Sequence, residues 1–326
     1  MKKIIAAAII LIIVLGLSLL YTGRHKIHTQ QFILMDTIVE FKVAGDKKYA
    51  ETAMKHALEE LRRIDSTFGY QKSVLTELNA LHSIRNQELY ELIRFSLEIN
   101  RASSGAFSIT LRPILDAWGF SGTHAYQVPS EAEFEHWKSL PGDSDILLLE
   151  DGQAVKTHEG TLIDLAAVAK GYAADNAVKI MKNNKIAAGL VNAGGDIMAF
   201  GEKTWRVGIK HPRAPGIFAT IPIRDKAIAT SGDYERFFLK DGNRYCHILD
   251  PETGWPSQRY MSATVVAQSC AQADAWATAL FVRGIEALEE VFSQQGMDWI
   301  VIDKDGKVSA SQALKEYCPD HIAIMP

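Results

Sequence analysis

At 326 residues with 47% apolar side chains, the chain can bury a sizeable core in one or two domains. A formal net charge of −4 gives none of the basic field that recruits nucleic acid, so no DNA or RNA partner is expected. Three cysteines, Cys246, Cys270 and Cys318, are too few and too scattered for a disulfide framework or a zinc site. One bridge stays open; buried free thiols are the expectation.

Met1-Lys2-Lys3 precedes an uncharged apolar run from Ile4 to Leu20, closed by Arg24, His25 and Lys26. About 17 to 19 apolar residues at 1.5 Å each nearly span a hydrocarbon core of roughly 30 Å. The exit Leu19-Leu20-Tyr21-Thr22-Gly23 is a poor cleavage site, which favours an N-terminal apolar anchor helix over a removed signal peptide. Lysines ahead of the run favour a cytoplasmic N-terminus. Residues 1–30 therefore read as anchor and tether, and 31–326 as one compact unit outside the cytoplasm.

Gln31 to Val43 alternates apolar and polar residues and predicts a strand. Lys47 to Ile64 places Ala50, Ala53, Met54, Ala57, Leu58, Leu61 and Ile64 on one helical face. Glu88 to Ser103 repeats that pattern and stops at Ser104-Gly105. A strand at about 161–164 and a helix over about 167–183 follow. From Gly189 to Met261, glycines and prolines punctuate short strands in the manner of an antiparallel sheet. Ala271 to about Gln294 predicts a helix broken at Gly284, and Trp299 to Ile302 a strand. This order lacks strict βαβ alternation and predicts an α+β fold with mixed or antiparallel sheets.

Three stretches can carry chemistry. In Ile163-Asp164-Leu165-Ala166-Ala167-Val168-Ala169-Lys170, an acid ends the expected strand, small residues open a helix, and a lysine follows. Small side chains let backbone approach a ligand, a helix N-terminus favours anions, and Lys170 suits phosphate oxygens. Equally, Asp164 can be only an N-cap and Lys170 a solvated residue. In Asp274-Ala275-Trp276-Ala277-Thr278, two hard oxygen donors share a helical face, a pairing that also arises by chance. His247 and Asp250, before a Pro-Glu-Thr-Gly turn, can place a general base beside a ligand or serve structure and turn alone. Clusters at Ser104 to Ser108, Asn192 to Asp196 and Thr230 to Tyr234 look site-like, although the Gly194-Gly195 pair is also explained by a hairpin.

The combination is more specific than any member. In order the chain carries Met35-x-Thr37, Gly69-Tyr70, Leu78-Asn79, Ser104-Gly105-Ala106-Phe107-x-Ile109-Thr110 running to Trp118-Gly119-Phe120, Asp164 to Lys170-Gly171-Tyr172, Asn192 to Asp196, Thr230 to Tyr234, His247-Ile248 to Gly254, and Ala273-Asp274 to Thr278-Ala279-Leu280. This series resembles the FAD:protein FMN transferase family, also called ApbE, over essentially Phe32 to Ile302.

The resemblance implies FAD in a central cleft between two subdomains, meeting Met35, Tyr70, Ala106, Phe107, Ser108, Asp164, Lys170 and Ile248. Tyr70 and Phe107 suit ring faces, and Lys170 suits a diphosphate. The family's Mg2+ site maps onto Asp274, Thr278 and the backbone carbonyl of Ala167. The implied reaction is phosphoryl transfer: a Thr or Ser hydroxyl of a client protein attacks the FMN-side phosphorus, and AMP leaves. His247, beside Ile248, is the first candidate for the base, with Asp250 second. Membrane-bound respiratory subunits are the implied clients, and a bacterial inner membrane, with the unit facing the periplasm, the implied location. Two departures stand out. The family's usual Ala-Phe-Asp reads Ala106-Phe107-Ser108 here, and an apolar segment replaces the lipoprotein cysteine of many relatives. An FAD pyrophosphatase, with water as acceptor, and a non-catalytic FAD-binding protein are the rival readings.

Overall fold

The computed structural model describes residues 26–81, 83–122, 124–149, 153–156 and 160–323. The expected anchor lies outside these residues, and among them no helix is long and apolar enough to cross a membrane.

Strands β1 (Ile27–Leu34) and β2 (Thr37–Ala44) lead into α1 (Lys47–Phe68), α2 (Val74–Ala80), β3 (Ser83–Arg85) and α3 (Gln87–Ala102). Helices α4 (Arg112–Trp118) and α5 (Glu131–Lys138) and strands β4 (Ile146–Leu149) and β5 (Gln153–Lys156) precede α6 (Ala166–Asn183). Then come β6 (Ala188–Ala193), β7 (Asp196–Gly201), β8 (Trp205–Lys210), β9 (Ile217–Ile223), β10 (Ala227–Gly232), β11 (Phe237–Lys240), β12 (Asn243–Cys246) and β13 (Tyr260–Ala267). Helices α7 (Cys270–Arg283) and α8 (Ile285–Gln294) and strands β14 (Asp298–Asp303) and β15 (Val308–Ala310) close the chain.

The frame is an eight-stranded sheet in the order β1-β2-β6-β7-β10-β13-β14-β15, antiparallel at every described pairing. The fold is thus α+β with a large antiparallel sheet. Side chains alternate between its faces, as strand geometry requires. Val191, Ala193, Ala227, Ala229, Ala263 and Val265 meet the helices, while Leu190, Ala199, Ile228, Val266, Ile300 and Ile302 meet the other side. There the β8–β9 hairpin, buried at every second residue of β8, covers the sheet. A third cluster gathers around Trp118, with Ile114, Phe120, Phe134 and Leu249.

On the helical face, α7 is apolar nearly all round and buried nearly all round. Its start is fixed twice. Ser269 accepts from the Gln272 N–H, and Asp175 of α6 accepts from the Cys270 and Ala271 N–H groups at 2.8 and 3.0 Å. Helix α6 crosses so close that a Cβ at Gly171 would stand 2.3 Å from the Cys270 carbonyl oxygen. The expected break at Gly284 is present, at φ 89°.

Three expectations need correction. The predicted single strand Gln31 to Val43 is a hairpin: Met35 and Asp36 take φ of 54° and 56°, as a two-residue turn requires, without the Asn-Gly or Asp-Gly pair that signals one. The predicted strand at 161–164 joins no described sheet, although the Asp164 N–H donates to the Ile109 carbonyl at 2.7 Å. Its other partner is the Asn79 side chain, whose amide donates to the Ile163 carbonyl and accepts from the Ile163 N–H, both at 2.8 Å. All three cysteines are free, but Cys318 is only half-buried.

Candidate active site

A cleft of about 450 Å³ opens where the β1–β2 turn, the ends of α1 and β10, the start of α6 and one face of α7 converge. Met35, Tyr70, Ala106, Ser108, Asp164, Ala167, Lys170, His247, Ile248, Asp274 and Thr278 all line it. Phe107 does not. Its ring is fully buried, and its backbone N–H and carbonyl are held by Ser103 and Asn100, so the ring cannot make the expected face contact with a ligand.

The densest charge lies between α6 and α7. Lys170 pairs with Asp196, and its Nζ is 3.7 Å from Asp274 Oδ2, which also accepts from the Gly171 N–H at 3.1 Å. Both carboxylates are almost wholly buried. Burial first, then the Asp196 charge, push the Asp274 carboxyl up to about 8. Burial opposes the Lys170 charge, but Asp196 and Asp274 outweigh it and hold the ammonium above its ordinary value. Two acids therefore share one ammonium in a desolvated place, and the raised Asp274 carboxyl keeps a proton there that a bound cation would displace.

One turn beyond Asp274, the Thr278 hydroxyl lies 3.2 Å from Ser231 Oγ. Among the described residues no three His, Cys, Asp or Glu side chains form a metal-holding group. A carboxylate, hydroxyls and the Ala167 carbonyl are nevertheless the hard oxygen donors Mg2+ prefers, and a second cation beside the single ammonium would favour the ionised form of Asp274. The donor set fits.

A second stretch of wall is neutral in its pairing. Asp164 accepts from the Tyr70 hydroxyl at 2.9 Å and from the Ala166 N–H at 2.8 Å, so it is a cleft residue that also takes the first N–H of α6, one position ahead of the N-cap Leu165. The Arg112 guanidinium sits 4.7 Å from the Tyr70 ring centroid, clamping that ring. Ser108 donates to Asp143 at 2.6 Å.

His247 is half-buried beside Arg236, whose carbonyl lies 3.2 Å from its Nδ1. A carbonyl only accepts, so the proton belongs on Nδ1 and Nε2 keeps a lone pair. Burial, then the Arg236 charge, hold the imidazole well below its ordinary value. Asp250, the second candidate base, is absent from the lining; it accepts from the Glu252 N–H at 2.9 Å and shapes the turn. Turn formation accounts for Asp250.

Sequence reasoning passed over Asp196, Ser231, Arg236 and Asp143. Asp196 and Ser231 sat in clusters that looked site-like in sequence but received no role of their own. Arg236 and Asp143 carried no signal, since only tertiary structure brings them here.

The sequence model described as the ApbE family matches residues 35–301. The FAD:protein FMN transferase of Escherichia coli K12 is 31% identical over 232 residues, spanning 68% of this chain and 66% of that protein. Its namesake from Vibrio cholerae is 31% identical over 289 residues, covering 84% and 86%. Among solved structures, the ApbE protein of Thermotoga maritima superposes with a TM-score of 0.84 at 32% identity, covering 90% of this chain and all of the other.

Proposed function

The chain belongs to the ApbE family, and on that premise we propose that it transfers the FMN half of FAD to a Thr or Ser hydroxyl of a client protein, releasing AMP. One observation carries the reading: Lys170, Asp274 and Thr278 converge on the wall of a cleft that Met35, Tyr70, Ile248 and His247 also line.

FAD enters with a diphosphate bearing about two negative charges, and phosphoryl transfer is governed by neutralising and positioning them. Lys170 supplies the positive charge from this chain. Asp196 anchors the ammonium so that it faces the cleft in one orientation. Asp274, Thr278 and the Ala167 carbonyl are the residues proposed to hold Mg2+. When bound, Mg2+ would act as a Lewis acid on the phosphoryl oxygens. Met35, Tyr70, Ala106, Ser108, Asp164 and Ile248 form the wall proposed for the flavin and its linker.

The acceptor hydroxyl needs a base. His247 offers a neutral imidazole with its lone pair on Nε2, held by the Arg236 carbonyl, and is proposed to take the hydroxyl proton. A depressed basicity makes it a weak base that stays unprotonated across the working range. The cleft between two subdomains, the anchoring of residues 1–30 in a bacterial inner membrane, the extracytoplasmic orientation and the respiratory-subunit clients belong to the same proposal.

Incubation with FAD and Mg2+, with and without a client fragment, tests it. Client-dependent, gel-stable flavin fluorescence and an added FMN mass are expected. Rapid FMN and AMP release without a client would mean a pyrophosphatase, and FAD retained with no AMP a carrier.

A further inference from the structure

The resemblance implies an aspartate at the position of Ser108, and in this chain a carboxylate backs the Ser108 hydroxyl from behind the cleft wall. It arrives from Asp143, in the short 3-10 turn Asp143–Asp145 that precedes β4. Asp143 Oδ2 accepts from Ser108 Oγ at 2.6 Å and from Thr110 Oγ1 at 3.1 Å, and Oδ1 accepts from the Ile109 N–H at 2.9 Å. Asp143 itself is not on the cleft wall; Ser108 is.

The hydrogen count then decides what Ser108 offers. Its single proton goes to Asp143. One lone pair takes the Thr110 N–H at 3.2 Å. The Thr110 hydroxyl lies 3.3 Å from Ser108 Oγ and nearer, at 3.1 Å, to the same carboxylate; with both protons directed to Asp143, a lone pair remains on Ser108 and no proton does. Toward the cleft Ser108 is an acceptor, polarised by a partly buried anion.

We propose that Asp143 is a positioning residue that turns Ser108 into a hydrogen-bond acceptor for the imide N–H of the flavin ring. The inference rests on the reading that FAD occupies the cleft. The imide is the only N–H of an oxidised flavin ring; the adenine amine is the other ring donor in FAD, and the experiment separates the two. Burial holds the Asp143 carboxyl above its ordinary value, while its three donors pull it back.

Dissociation constants for FAD, FMN and AMP are measured on the full chain and on D143N, S108A, S108D and S108D/D143N. D143N and S108A are each expected to weaken FAD and FMN about tenfold and to leave AMP unchanged. S108D sets two carboxylates against each other and should weaken FAD similarly. In S108D/D143N the amide introduced at position 143 can donate to the new carboxylate, and affinity should return to within about threefold of the parent. A structural role for Asp143 alone predicts instead a double variant worse than either single one. Undiminished FAD and FMN binding in S108A, losses confined to AMP, or no rescue in the double variant would each overturn the proposal. A parent chain that binds no FAD removes the proposed function as well, whereas one that binds FAD with positions 108 and 143 uncoupled fails this inference only.

Discussion

Two stretches of the same cleft wall use aspartates in opposite ways. Between α6 and α7, Asp196 and Asp274 share a single ammonium and remain short of positive charge. Beside Tyr70 and Ser108, Asp164 and Asp143 are each met by neutral hydroxyl and N–H donors. A desolvated carboxylate short of positive charge invites a cation, whereas one saturated by neutral donors fixes geometry. The first stretch is built to change its occupancy, the second to hold still.

The widest gap between the two should appear in Asp274→Ala. Transfer to a client fragment in the presence of Mg2+ is expected to fall about a hundredfold or more, since the proposed Mg2+ site would lose an oxygen ligand. Normal turnover would dissolve the contrast at its root. His247→Ala, on neither stretch, should slow transfer about a hundredfold with FAD affinity within about threefold of the parent, read by single-turnover kinetics and titration. Equal losses in binding and rate would make His247 a wall residue.

Lys170→Met should weaken FAD by about ten- to a hundredfold, the scale of a charge-assisted contact, measured by fluorescence quenching. Tyr70→Phe, in the saturated stretch, removes one hydroxyl and should cost about 1 kcal/mol of stability with a few-fold loss of FAD affinity. If Tyr70→Phe proved as damaging as Lys170→Met, the division between the stretches would fail.

The His247 shift also sets a pH signature. Its folded value lies below the unfolded value of about 6.5, so as pH falls below that point the unfolded chain takes up a proton the folded chain refuses. Stability should therefore drop on acidification below about pH 6.5, and His247→Gln should flatten that part of a melting-temperature profile.

Much of the frame was legible from periodicity alone. The faces of α1 and α3, the Gly284 break and the antiparallel run after Gly189 are local patterns, and local patterns survive in sequence. What escaped depends on distant partners. Nothing local announces that the Asn79 amide substitutes for a neighbouring strand at Ile163, or that Met35 and Asp36 both adopt positive φ. In the site, Asp274 and Thr278 were readable as one helical face, but the sharing of Lys170 by two acids was not, because Asp196 arrives on another element. Phe107 misled for a related reason: its neighbours line the cleft while its own ring turns into the core.

Gly171 has a kinetic consequence. Where the Lys170-bearing helix touches the Cys270 carbonyl with no side chain between, the two helices cannot slide without breaking the Asp175 caps. Lysine and acid therefore travel as one rigid body, already assembled when a dinucleotide arrives. Capture should show a single concentration-dependent phase, with an association rate on the order of 10⁵–10⁷ M⁻¹s⁻¹ and no slow isomerisation behind it.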